Sequence, residues 1–149
     1  MKARLPSQPD RHNTTIVELL IVVLILAIVA AVVVPQFSQA SQDSRAARLR
    51  SHLATVRHQI ERYRQDHGGR LPSAKLFVQQ MTGQTDELGR PADSVRQGRL
   101  LGPYLRRVPL NPYTAGCRVG TGPVGSSDWF YEESTGQFRA NHSAEHRRF

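Results

Sequence analysis

His142, Glu145 and His146 stand at the spacing H-x-x-E-H. On one helical face that spacing offers two imidazoles to a zinc ion and a carboxylate to its bound water. Metal-assisted hydrolysis needs a helix around the string and a third ligand beyond it. Neither pattern is present, and the string lies close to the end of the sequence, so it reads as a polar, frayed tail. The other residue with unusual chemistry is Glu18, a carboxylate with apolar neighbours on both sides. At the centre of a bilayer such a group costs about 3 kcal/mol. It must either reach water at the membrane edge or meet a cation supplied by another molecule, which is the chemistry of association.

Other reactive patterns fall away. Cys117 is the single cysteine, which rules out an intrachain disulfide and a cysteine-based zinc cluster. Calcium requires about six to eight oxygens, and beyond Gly102 the acids are Asp128, Glu132, Glu133 and Glu145, with no Asp-x-Asp cluster. Asn13-Thr14-Thr15 and Asn141-His142-Ser143 match the glycosylation sequon, a short pattern common by chance. A phosphate loop, a nucleophile elbow and paired catalytic carboxylates cannot be assembled. The expectation is a non-enzyme without catalytic residues, metal or cofactor; calcium is the one ion kept in view.

The elements that position Glu18 begin with residues 1–13, a basic segment carrying Lys2, Arg4 and Arg11 against Asp10, expected to stay in the cytoplasm. Residues 16–37 follow, in which Glu18, Pro35 and Gln36 alone are not apolar. As a helix this run spans roughly 30 Å of hydrocarbon. Its valines and isoleucines would favour a strand in water, but lipid leaves backbone groups no partner outside the segment and selects helix. An ordinary secretory signal would have a shorter apolar core and a small-x-small cleavage site, and neither is present.

Beyond the proline, Leu49, Leu53, Val56, Ile60 and Tyr63 recur at helical spacing and form one apolar stripe. Arg48, Arg57, Arg62 and Arg64 lie off it. The helix should close at His67-Gly68-Gly69, with Pro72 blocking continuation. Ser73 starts a short helix through Met81, with Leu76, Phe77 and Met81 inward. Residues 82–102 read as an exposed loop. Turn-dense segments 102–105 and 108–112 follow, then strands at 118–121, 129–132 and 137–140, the last two joined by Ser134-Thr135-Gly136. The predicted fold is α+β: a long N-terminal helix and a small C-terminal antiparallel sheet packed on its second half. The domain reading is 1–13 leader, 14–37 hydrophobic helix, 38–67 amphipathic continuation, and 68–149 loop and sheet region with a polar tail.

The net charge of +8 comes from 20 Lys and Arg against 12 Asp and Glu in 149 residues. The basic residues are scattered, without aromatic interleaving or a nucleic-acid module, so nucleic acid is not an expected partner. A solvated or partner-facing basic surface is.

From Thr14 to Leu20 the sequence reads Thr-Thr-Ile-Val-Glu-Leu-Leu, between the basic leader and the apolar run. Counted from Thr14, Glu18 is the fifth residue and Pro35 the twenty-second. In this register the chain resembles the type IV pilin and type II secretion pseudopilin superfamily, whose members carry a glutamate and a helix proline at those positions. The family's usual glycine before the cleavage point is Asn13 here, and its phenylalanine is Thr14. Tyr63 to Pro72, the Gly-Pro-Tyr-Leu and Val-Pro-Leu-Asn-Pro runs, and Trp129, Tyr131, Thr135, Gly136 and Phe138 are similar to the major pseudopilin of type II secretion.

The resemblance implies a pilin-like fold in the inner membrane, crossing once, with the N-terminus cytoplasmic and the C-terminal region periplasmic. It implies a processing site at Asn13 and Thr14, cut by a prepilin peptidase that methylates the new N-terminus; an uncleaved subunit is the alternative. It implies filament assembly through Glu18 and Pro35, with Glu18 paired to a neighbouring subunit's N-terminal ammonium. The implied partners are copies of itself, other pseudopilins and an inner-membrane assembly platform. Type II secretion is then the expected function. A type IV or competence pilin in adhesion or DNA uptake is one alternative, and a monomeric membrane-tethered enzyme or binding module another. Major pseudopilins often hold calcium in their C-terminal loops, but the acids of this chain do not cluster for it.

Overall fold

The computed structural model describes residues 15–94 and 98–149. The leader over 1–13 and Thr14 lie outside the described residues. In order, the elements are α1 (Ile16–Asp66), α2 (Phe77–Thr82), β1 (Val119–Gly120), β2 (Trp129–Glu132) and β3 (Gln137–Ala140), with short 3-10 turns at Ala92–Ser94 and His146–Arg148. The long N-terminal helix and small sheet make the fold α+β, as expected. The chain divides into two units, Met1–Ser41 and Gln42–Phe149.

In the first unit the described residues form the N-terminal part of α1. Its large apolar side chains stand open: Leu20 is 66% exposed and even Ile21 49%. The backbone remains helical through Pro35, although proline cannot donate to the carbonyl four residues back.

The second unit has a core. Leu49, Leu53, Val56, Ile60 and Tyr63, the expected stripe, are all buried, and they share one cluster with Phe77, Met81, Leu105, Val108, Trp129, Tyr131, Phe138 and Ala140. Each fully buried large side chain contributes about 1.5–3 kcal/mol. The α1 terminus is the predicted one. Gly68 and Gly69 take positive φ, 61° and 90°, and the Gly69 N–H returns to the Arg64 carbonyl at 2.8 Å, satisfying an end-of-helix acceptor.

On β2 burial alternates, Trp129 and Tyr131 inward, as a half-buried strand requires. β3 presents Phe138 and Ala140 to the same side, with Tyr131 opposite Phe138 and Trp129 opposite Ala140. Phe77 lies against Tyr131 and Phe138, ring centroids 4.4 and 5.6 Å away. The polar tips are spent locally, Trp129 Nε1 donating to Pro109 O at 2.9 Å and Tyr131 Oη to Pro72 O at 2.7 Å.

Three expectations need correction. The sheet is mixed: β2 and β3 are antiparallel, but β1 runs parallel to β2. Consecutive parallel strands usually need a long crossover; here β1 is so short that the turn around Pro123 and Gly125 suffices. Asn141 N δ2 donates to Pro123 O and Ser127 Oγ, both at 2.9 Å, holding that turn. The short helix begins at Phe77, later than expected, with Leu76 exposed. Ser73 Oγ instead accepts the Leu76 N–H at 3.4 Å in the preceding turn, the kind of local bond serine offers.

The segment 82–102, expected to be exposed, is partly buried among its described residues. Thr85, Asp86 and Leu101 are covered, and Thr85 and Leu101 exchange backbone bonds of 2.9 and 2.7 Å. Asp86 Oδ1 accepts the N–H groups of Leu88 and Arg90, and Arg90 Nε donates to Asp86 Oδ2 at 2.7 Å. The resulting tight turn places Gly89 (φ 80°) where a Cβ would lie 2.5 Å from the Tyr63 hydroxyl.

Candidate functional site

The start of α1 is held by Thr15. Its Oγ1 accepts the Glu18 N–H at 3.3 Å, and its carbonyl accepts the Leu19 N–H at 3.2 Å. Thr15 thereby satisfies one of the helix's unpaired first-turn donors. Glu18 lies in that first turn and is exposed, where the helix dipole favours a negative charge. The sequence carries this signal as Thr15-x-x-Glu18, the capping-box spacing. Asn13 and Thr14, the expected processing site, lie outside the described residues.

From Leu19 to Val34 the surface is apolar on every side of the helix. The most apolar window of α1 has mean hydropathy 3.3, with none of it buried within the chain. Solvating this surface in water, at about 1.5–3 kcal/mol per large side chain, costs on the order of tens of kcal/mol. The helix is therefore long and apolar enough to cross a membrane. Pro35 occupies a helical backbone position in the same element.

In the second unit Asp128, a carboxylate that could hold a metal, is engaged otherwise. Asp128 Oδ1 accepts the Thr114 hydroxyl at 2.6 Å, and Oδ2 the Arg118 N–H at 2.8 Å. Burial alone would raise the Asp128 pKa, but these bonds and the Arg118 charge outweigh it and hold the carboxyl below its usual range. Among the described residues no three His, Cys, Asp or Glu side chains converge as a metal site.

The H-x-x-E-H residues are folded rather than frayed, which corrects the reading of the tail. Tyr113 stacks on His142 at 4.7 Å and meets His146 at 4.3 Å. His142 Nδ1 faces Asn111 Nδ2 at 3.1 Å, and His146 Nδ1 faces Ser143 Oγ at 2.8 Å. The two imidazoles thus serve packing. Burial, followed by the nearby His146, lowers the His142 pKa. In the second sequon, Asn141 is fully buried and its amide is committed to the Pro123 turn, closing it to a modifying enzyme.

Two polar residues hold this unit together without having been singled out. His67 continues the stripe by one helical step from Tyr63 and is buried; Nδ1 bonds Tyr63 O at 2.8 Å and Nε2 faces Thr85 Oγ1 at 2.9 Å. Arg57, off the stripe, donates from Nε to Phe138 O at 2.9 Å and from Nη2 to the main-chain oxygen of Phe149. The first was legible in the period; the second depends on long-range packing. No protein-family model matches the chain, and no curated protein or solved structure matches it either.

Proposed function

We propose that the chain is a structural pilin-like subunit, which crosses the inner membrane once and assembles through its N-terminal helix into a type II secretion pseudopilus. The observation that carries this reading is the all-round exposed apolar surface of the N-terminal part of α1, with one carboxylate, Glu18, in its first turn. A surface of that kind needs lipid or other helices around it. The register of Glu18 and Pro35 in the sequence supports pilin-like assembly over a plain anchor. Lys2, Arg4 and Arg11 support a cytoplasmic N-terminus and a periplasmic C-terminal unit.

In this mechanism the helix first dissolves in lipid. Prepilin peptidase then cuts between Asn13 and Thr14, and the new ammonium of one subunit meets Glu18 of the next. The pair sets axial stagger more than stability, since burying two charges offsets much of their attraction. Other pseudopilins and an inner-membrane platform complete the machine, and the subunit turns over no substrate. Mass spectrometry of the membrane-extracted protein tests the processing step. A methylated N-terminus at Thr14 is expected, and a chain cut after residue 34 would overturn the reading.

The net charge of +8 favours a second reading, a type IV or competence pilin that binds DNA. Gel-shift titrations over a salt series discriminate, because phosphate contacts give a steep salt dependence.

A further inference from the structure

The second unit carries a cleft of about 570 Å³ lined by Arg57, Gln137, Phe138, Arg139, Arg148 and Phe149 among others. Its guanidiniums come from three places: α1 supplies Arg57, the edge strand β3 supplies Arg139, and the last turn supplies Arg148. Among the described residues none of the three has a side-chain carboxylate within 4.0 Å. The nearby Glu132 accepts the Thr135 hydroxyl at 2.6 Å, and Glu133 accepts the Ala74 N–H at 2.9 Å. Burial, followed by the like charge of Arg139, lowers the Arg57 pKa.

The cleft floor is built. Arg57 is fixed by Phe138 O and the main-chain oxygen of Phe149. The Phe149 ring lies beneath Arg50 at 5.0 Å, and Arg147 covers Phe130 at 4.2 Å. Within the cleft wall, Arg57 is thus already held by main-chain oxygens, with the Phe149 ring beside it. Arg139 and Arg148 remain, and a guanidinium's planar fork suits carboxylates.

We infer that this cleft docks an acidic stretch of a partner polypeptide, whose carboxylates are received by Arg139 and Arg148 above the floor set by Arg57. The inference does not depend on filament formation.

The test titrates full-length protein in detergent micelles with a fluorescent glutamate hexapeptide, read by anisotropy at physiological ionic strength. Saturable binding is expected, weakened at least about tenfold by Arg139→Gln with Arg148→Gln, since the pair loses both charged forks. Arg48→Gln with Arg107→Gln, on the separate groove beside Leu110, should leave binding unchanged. Equal loss from both pairs, or none from the first, overturns the inference. So does displacement of the peptide by inorganic phosphate or phosphatidylglycerol vesicles at equal negative charge. If Trp129 emission shows that the glutamine pair unfolds, Arg139→Lys with Arg148→Lys replaces it. That pair keeps the charge and loses the forks, so affinity should fall severalfold, and unchanged affinity overturns the assignment.

Discussion

Thr15 Oγ1 accepts the Glu18 N–H at 3.3 Å, which gives the first turn of α1 a local stabiliser that does not use the Glu18 charge. Capping and pairing can therefore be separated. Thr15→Ala should weaken the helix start by about 0.5–2 kcal/mol and leave polymers intact. Glu18→Gln retains an amide suited to the turn but removes the charge, and should abolish polymers while helicity is unchanged. Crosslinking in membranes and circular dichroism in micelles check the pair.

Gly89 sits at φ 80° beneath the Tyr63 hydroxyl, whose pKa is pushed up to about 12, chiefly by burial and then by Asp86. Gly89→Ala adds a strained backbone and a clash. A loss of about 2–4 kcal/mol in the second unit is expected, measured by denaturant unfolding of the full chain with Trp129 emission as the probe.

Leu53 and Leu24 are the same residue type in different solvents, 1% and 57% exposed within the chain. Leu53→Ala should cost the second unit about 2–5 kcal/mol. Leu24→Ala should leave Trp129 unfolding unchanged and reduce membrane retention. Equal effects of the two on unfolding would contradict the division of the helix between lipid and core.

The pH dependence should show two steps. His142 has a depressed folded pKa, so below the ordinary 6.5 the unfolded chain takes the proton first. Its contribution is complete above 6.5 and lost as pH falls toward the folded value. Asp128 and Asp86 are also depressed, so their contribution is complete above the ordinary 3.8 and lost below it as pH falls through their folded values. His142→Phe should remove the first step, and Asp128→Asn should shrink the second while lowering neutral stability by about 1–3 kcal/mol. Unfolding free energies from pH 8 to 3 provide the check.

Much of this is legible in the amino-acid sequence. The stripe from Leu49 to Tyr63, the glycine closure at Gly68 and Gly69 and the alternation at Trp129 and Tyr131 each follow from local periodicity or backbone chemistry. β1 was less legible, because its parallel pairing depends on Asn141 reaching the Pro123 turn from elsewhere in the chain. The order in 142–149 was hidden for the same reason. Its composition is polar, and its anchors Tyr113, Arg57 and Phe130 are remote in sequence. At the candidate site, Glu18 and Pro35 announced themselves by type, while Thr15 was visible only to a search for helix caps.

The most direct measurement is chemical crosslinking of the native chain and the Glu18→Ala variant in inner membranes, resolved by size. The account predicts a ladder of multimers from the native chain and its disappearance in the variant at equal membrane abundance. Monomers alone from the native chain would contradict assembly and leave α1 as a simple tether.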